Sequence, residues 1–456
     1  METIVVISTA PGVGGIGIVR MSGEDSFKIL NRIFKAKNEE TIENIKGYSI
    51  KYGEIVESKT NRVVDEVLVS YFKAPKSYTA ENMCEINSHG SIVVVREIME
   101  LCLAEGAVLA EPGEFTKRAF LNGRIDLSQA EATADIISAR TKIESRAAVS
   151  QLEGYLSRNI MRIKGNVLDL LVDMEANIDY PEYDIEEVTE DRVRKALFEI
   201  RNELDVLLRS FEDGKIIKEG IRVAIIGSPN VGKSSLLNSM LQEERVIVTE
   251  IAGTTRDTIE EVITIEGIPF YIIDTAGIRN VDDKVEKIGI KKSKKVAEQS
   301  DVILTMFDSS KELSKEDKEI LEFVKDKNAI IVLNKMDIVE TSPVITQLET
   351  EKPIVNISAK NNEGIDLIYK ELLEMFKINE INLDNENIIT NVRHKNLIEE
   401  AVNSLEKAEE TVDAGMPIDI IAINIKDVVE ALNKITGESV SEDLLTEIFA
   451  KFCLGK

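Results

Sequence analysis

Gly227-Ser228-Pro229-Asn230-Val231-Gly232-Lys233-Ser234 fits the pattern Gly-x-x-x-x-Gly-Lys-Ser/Thr. Its chemistry is phosphate binding, provided a strand leads in and a helix leads out. Both flanks suit it: an apolar run, Ile221 to Ile226, comes before, and a helix-like run, Ser235 to Leu241, follows. Glycines let backbone N–H groups turn inward around phosphate oxygens, at a helix N-terminus that already favours anions. The expected contacts are Asn230, Val231, Gly232, Lys233, Ser234 and Ser235. Lys233 would reach the β- and γ-phosphates, and Ser234 would offer its hydroxyl to Mg²⁺.

Further elements follow in the order a guanine-nucleotide site needs. Asp274-Thr275-Ala276-Gly277 ends the apolar run Phe270–Ile273. Asp274 at a strand end would hold Mg²⁺ through water, and Gly277 would let the backbone approach the γ-phosphate. Asn334-Lys335-Met336-Asp337 ends the run Ala329–Leu333. A carboxylate at Asp337 can accept from guanine's ring N–H and exocyclic amine. Adenine presents no such donor pair, so a buried acceptor would be left unpaired at a cost. The preference is therefore GTP/GDP over ATP. Ser358-Ala359-Lys360 follows the run Pro353–Ile357, and its backbone would touch the base. Gly253-Thr254-Thr255-Arg256-Asp257 sits where a first switch belongs, and Thr249, Glu250, Ile251 and Ala252 just before it join the nucleotide-binding set. Thr255 would be the second Mg²⁺ ligand, bound only while the γ-phosphate is present. Ile278 follows Gly277 where many small GTPases carry a water-orienting glutamine. Isoleucine cannot orient water, so that group must come from elsewhere.

These residues need a scaffold, and the chain has ample length for one: 456 residues, 43% hydrophobic and 30% charged, which predicts a soluble protein of two to four domains. Residues 1–120 read as mixed α/β. Strand-like runs are Thr3–Ser8, Gly17–Met21, Glu66–Phe72 and Met83–Asn87, and helix-like runs are Ser26–Phe34 and Ile92–Leu103. Residues 121–216 read as helical. Ser128-x-x-Glu131 has a capping-box pattern. Val149, Leu152, Leu156, Ile160, Ile163, Val167, Leu170 and Met174 form one stripe, and Val193, Leu197, Ile200, Leu204, Leu207 and Phe211 a second. Residues 217–376 alternate strand and helix, as in a mostly parallel sheet. Residues 377–456 return to helical patterning, with Leu397, Ala401, Leu405 and Ala408 in one stripe and Ile421, Ile425, Val428, Leu432 and Ile435 in another. The fold class is multidomain α/β: an N-terminal α+β domain, a central all-α domain, and an inserted P-loop G domain. Two unrelated helical domains are the alternative.

Several function classes recede. No apolar run approaches 18 residues, so no membrane span is expected. Cys84, Cys102 and Cys453 are widely spaced, which suits a reducing, cytoplasmic location, and His89 and His394 are the only histidines. A net charge of −26 argues against strong non-specific attraction to nucleic acid. Any RNA contact is therefore local or supplied by a partner.

The chain resembles the bacterial and organellar tRNA-modification GTPase family called MnmE, also known as TrmE. The resemblance rests on Ala10-Pro11-Gly12, Gly15-Ile16-Gly17-Ile18-Val19-Arg20, Pro112-Gly113-Glu114-Phe115, Arg118-Ala119-Phe120-Leu121-Asn122, Asp126-Leu127-Ser128-Gln129-Ala130-Glu131-Ala132, the nucleotide set, and Phe452-Cys453-Leu454-Gly455-Lys456. It implies a homodimer formed through the N-terminal domain, and a hetero-oligomer with a separate FAD-containing subunit. Together these would add an aminomethyl-type group (carboxymethylaminomethyl or aminomethyl) to the wobble uridine of certain tRNAs, using a one-carbon unit from 5-formyl-tetrahydrofolate or methylene-tetrahydrofolate. It also implies GTP hydrolysis switched on by K⁺ when two G domains meet.

On the same resemblance Asn230, Thr249, Ile251 and Thr254 would ligate K⁺, an oxygen cage such as a hard cation prefers. K⁺ could then stand where an arginine finger stands elsewhere. Glu286 would orient the attacking water; read alone, it is a solvent-facing helix residue. Arg20, Glu85, Arg124 and Lys456 would hold folate; read alone, they are surface charges. Arg124 stands where other members often carry lysine, so its fork geometry differs. Cys453 would lie close to the modification chemistry, with an unreactive half-buried thiol as the other reading. A ribosome-assembly or signalling GTPase would explain the nucleotide set alone. A stand-alone folate-dependent transferase would leave Asp337 unexplained.

Overall fold

The computed structural model describes residues 1–37, 47–179, 190–243, 260–274, 295–378, 388–452 and 455. Two compact units emerge: residues 1–138, 148–204 and 396–456 form one, and residues 139–147 and 205–395 form the other.

The first unit begins with a seven-stranded sheet. Its strands are β1 (Ile4–Ile7), β2 (Gly14–Ser22), β3 (Phe34–Ala36), β4 (Tyr48–Val56), β5 (Val63–Phe72), β6 (Met83–Gly90) and β7 (Val108–Leu109), in the order β3-β4-β5-β6-β2-β1-β7. Every pairing is antiparallel except β1 with β7. Alternation along each strand sends one side-chain row inward. Val5, Val19, Met21, Val69 and Ile86 make that row, and the helices Ser26–Ile33 and Ile92–Ala104 cover it with Ile29, Leu30, Ile33 and Ile98. Close approach has a local requirement at Gly17, where a Cβ would stand 2.3 Å from Val95 Cγ2. Four of these seven strands coincide with strand-like runs of the sequence; the exceptions are β3 and β7, which are only 3 and 2 residues long, and β4. In β4 the apolar side chains Tyr48, Ile50 and Tyr52 face solvent while serine and lysine alternate with them, so the usual polarity is inverted.

The rest of this unit is helical. The helix Tyr155–Asp179 packs along Ile418–Thr436 although the two lie far apart in the chain. Ile160, Ile163, Val167 and Met174 meet solvent at no more than 1%, as do Ile425, Val428, Leu432 and Ile435. The helix Glu442–Ala450 packs on Glu114–Leu121, where Ala119, Leu127, Phe449 and Phe452 share one core with Phe120 against it. Chain on both sides of the second unit therefore builds this body.

Two details depart from the sequence reading. The capping box of the helix Leu127–Ser138 is Asp126-x-x-Gln129, not Ser128-x-x-Glu131. Asp126 Oδ1 accepts from Gln129 N at 3.0 Å, and Gln129 Oε1 accepts from Asp126 N at 3.0 Å. Ser128 lies inside the helix, buried, with its hydroxyl on Asp126 and Ser157. The apolar stripe also starts one residue off: Ala148 is buried and Val149 exposed, just as Ile398 rather than Leu397 is the fully buried member of its helix.

The second unit is a six-stranded sheet with helices. Its strands are β8 (Ile221–Gly227), β9 (Glu260–Ile265), β10 (Ile268–Asp274), β11 (Val302–Asp308), β12 (Ala329–Asn334) and β13 (Ile354–Asn356), in the order β13-β12-β11-β8-β10-β9. All neighbours are parallel except the β9–β10 hairpin. Near-continuous Ile and Val runs in β8, β11 and β12 are what strands covered on both faces require, and they are buried throughout their centres. Parallel strands all end at one edge, and ligands of open α/β sheets bind outside that edge.

Candidate nucleotide site and the Arg20 cluster

At the ends of β8, β12 and β13 the expected nucleotide residues meet. The phosphate loop leaves β8 at Gly227 and enters the helix Lys233–Glu243. Asn230 adopts a left-handed backbone with φ 63°, a conformation asparagine tolerates better than most residues. Gly232 has φ 104°, and a Cβ there would stand 2.2 Å from Asn334 Nδ2. Only glycine fits without displacing that amide. Lys233 Nζ donates to the carbonyls of Gly227 at 2.7 Å and Ser228 at 2.9 Å, which keeps the ammonium within the loop. Ser234 and Ser235 are exposed on the first turn of the helix, and Val231 is buried. Inward-turned amides, a helix N-terminus and a lysine fit a polyphosphate.

Asn334 ties the loop to the base-recognition segments. It is 3% exposed. Its Nδ2 donates to Val231 O at 2.7 Å, and its Oδ1 accepts from Ala359 N at 2.9 Å. One buried amide thus joins the phosphate loop to Ser358-Ala359-Lys360. Ser239 Oγ adds a second link, donating to Ala359 O at 2.9 Å. Ser358 and Ala359 are buried and Lys360 is exposed.

After Asn334 the chain turns sharply. Lys335 is left-handed with φ 71°, and a single 3₁₀ turn, Met336–Ile338, carries Asp337. Asp337 is exposed rather than buried; its Oδ1 accepts from Ser358 Oγ at 2.9 Å. A base stacked there would supply the burial that makes an unpaired acceptor costly. Lys335 Nζ donates to Asp308 Oδ2 at 2.7 Å. Partial burial pushes the Asp308 carboxyl up; the bonds from Lys335 and from the Ser310 hydroxyl and N–H outweigh it, leaving it below the usual carboxylate range.

Asp274 ends β10 as expected, next to β8 in the sheet. Thr249, Glu250, Ile251, Ala252, Gly253, Thr254, Thr255, Thr275, Ala276, Gly277 and Glu286 lie outside the described residues, as do Cys453 and Lys456.

The other expected residues meet in the first unit. Register places Arg20 on β2 directly across from Glu85 on β6. Arg20 Nε and Nη2 both reach Glu85 Oε1, at 2.8 and 2.7 Å, and the side chains are only 16% and 18% exposed. These are not the surface charges their residue types suggest. Arg20 Nη1 donates to Gly455 O at 3.3 Å, so residue 455 reaches this spot.

Two aromatic residues complete the cluster: Tyr78, absent from the sequence-based expectations, and Phe115, present there only within a family motif. The Arg20 guanidinium lies 5.7 Å from the Phe115 ring centre and 6.0 Å from that of Tyr78. Arg124 stacks on Tyr78 at 4.9 Å and donates to Tyr78 O at 3.0 Å. Tyr78 OH and Thr116 Oγ1 are 2.9 Å apart. The available signal was an aromatic residue within the polar segment Ser77–Asn82. Buried Arg118 supports the floor, bonding Glu114 at 2.7 Å and Glu81 at 3.2 Å, while Ser22 bonds Glu81 and Thr79 at 2.7 Å each. Arginine forks and a stacked ring suit a flat heterocycle bearing carboxylates.

A family model described as GTP-binding protein TrmE N-terminus matches residues 3–124, and one described as MnmE helical domain matches residues 127–453. The tRNA modification GTPase MnmE of Acetivibrio thermocellus is 48% identical, over 100% of this chain and 99% of that protein. The protein of the same name from Thermoanaerobacter pseudethanolicus is 47% identical, over 100% and 99%. Among solved structures, a crystal structure of Era in complex with MgGDPNP and nucleotides 1506-1542 of 16S ribosomal RNA is 34% identical, covering 34% of this chain and 56% of that one with a TM-score of 0.28. With family models matching from residue 3 to residue 453 and relatives alike end to end, the chain belongs to the family of the tRNA modification GTPase MnmE.

Proposed function

We propose that this chain is a GTPase that acts in modifying the wobble uridine of certain tRNAs. The observation that carries the reading is the Asn334 amide, which holds the phosphate loop and the base-recognition loop in one unit. Gly232, Lys233 and Ser234 would take the phosphates and Mg²⁺, with Asp274 and Thr255 supporting the metal. Asp337 would read guanine.

The finer reading follows the family. Asn230, with Thr249, Ile251 and Thr254, would hold K⁺ beside the developing phosphate charge, and Glu286 would orient water. The left-handed Asn230 and its exposure at the loop's rim support a part in cation binding. Arg20, Glu85 and Arg124, joined by Tyr78 and the tail carrying Cys453 and Lys456, would hold a tetrahydrofolate that supplies one carbon when bound. The convergence of Arg20, of Tyr78 and Glu85, of Arg124 and of Gly455 from four separate parts of the chain supports this. An FAD-containing subunit would work alongside.

Homodimer formation would cover the outer face of β4 and β5. There Tyr48, Ile50 and Leu68 are 67%, 69% and 50% exposed, and an apolar strip of that kind is rarely left bare.

GTP hydrolysis by the purified chain in K⁺ against Na⁺ tests the cation claim. The rate in K⁺ should be at least about tenfold higher, on the scale of other charge-stabilising groups at phosphoryl transfer. Equal rates would remove the K⁺ cage.

A further inference from the structure

The strand β11 ends at Asp308, one register position across from Asn334 on β12. Nothing in the nucleotide motifs includes it. Its carboxylate is nevertheless fully engaged and only 11% exposed. Oδ1 accepts from Ser310 Oγ at 2.6 Å and Ser310 N at 3.1 Å, and Oδ2 accepts from Lys335 Nζ at 2.7 Å. Lys311 Nζ stands farther off, at 3.9 Å.

Lys335 is where the chain breaks out of β12. Its left-handed φ of 71° is strained for a residue with a Cβ, and such strain persists only where surroundings over-determine it. Ser310 fixes the carboxylate, and the carboxylate fixes the ammonium. The backbone turn at Lys335 then aims the single 3₁₀ turn that presents Asp337. A long flexible lysine carries much rotamer freedom, so without a fixed partner this turn would lose its tether.

We infer that Asp308 is a positioning residue for guanine recognition: it holds Lys335, and through Lys335 it sets the place of Asp337. The inference rests on the guanine-nucleotide reading of the site. It separates two roles within that site, since Asn334 bonds the phosphate loop while the Asp308 carboxylate bonds Ser310 and Lys335. Loss of Asp308 should therefore blunt selection of the base and spare the phosphate contacts.

Calorimetry on the full chain tests this with GDP and inosine diphosphate, which lacks guanine's exocyclic amine. The wild type should bind GDP the more tightly of the two. Asp308→Ala should weaken GDP roughly tenfold or more and bring the two affinities together, as expected when a hydrogen-bonded discriminator is misplaced. Asp308→Asn should fall between, because its amide oxygen can still accept from Lys335. Hydrolysis at saturating GTP should keep its kcat within about threefold, the loss appearing in KM. Lys335→Ala combined with Asp308→Ala should be no worse than Lys335→Ala alone, within about twofold.

Unchanged discrimination in both Asp308 variants would overturn the inference, as would equal losses for both nucleotides or additive losses in the double variant. A wild type that binds no GDP would instead overturn the nucleotide reading itself.

Discussion

At the scale of single residues, the site depends on a few buried polar groups whose every bond has a job. Asn334 is the clearest case. Its side chain satisfies one carbonyl and one amide that have left regular structure. Asn334→Ala would orphan both, at about 1–3 kcal/mol each by the usual cost of an unmade buried bond. GDP binding followed by calorimetry should weaken roughly 10–100-fold, and an unchanged affinity would mean that the two loops are held together by other contacts. Much of this was legible in advance, because the residue types and their spacing specify a phosphate loop and a guanine-reading segment before any coordinate is known. The roles of Tyr78, Phe115 and Asp308 were not: Phe115 stood only within a family motif, and Tyr78 only as an aromatic residue in a polar segment. Each acts through a neighbour brought close by strand register or by a helix from another part of the chain, which local sequence does not specify.

Elements place those residues, and here pattern reading succeeds where period is strong. The buried rows of Tyr155–Asp179 and Ile418–Thr436 follow the helical repeat closely. It fails where polarity is inverted, as in β4, or where two capping boxes overlap and burial chooses between them. Asp126 wins because Ser128 is drawn inside to meet Ser157. The junction of discontinuous chain is tight enough to test. Gly437 ends Ile418–Thr436 with φ 92°, and a Cβ there would lie 2.8 Å from Leu127 Cβ and from two ring carbons of Phe120. Gly437→Ala should cost about 1–3 kcal/mol from backbone strain and crowding combined. Urea denaturation would read it as a lower midpoint, and an unchanged midpoint would show that this joint yields freely.

For the whole molecule, one body is assembled from chain that lies on both sides of the other. Among the described residues no helix is long and apolar enough to cross a membrane. The exposed apolar strip on β4 and β5 is the feature that an isolated chain explains least well. Ile50→Glu would place a charge in its middle, and sedimentation should then shift from two chains to one. A mass of two chains in both proteins would put the dimer interface elsewhere. In the proposed function a guanine-nucleotide site and the Arg20 cluster serve one reaction on tRNA; the family resemblance groups Arg20 with Glu85 and Arg124, and the fold adds Tyr78. Deleting the gene and digesting total tRNA for nucleoside mass spectrometry tests this most directly. The aminomethyl-type wobble uridines should vanish and return when the wild-type chain is supplied, while Asn334→Ala should restore them poorly. Unchanged levels of those nucleosides in the deletion strain would contradict the account.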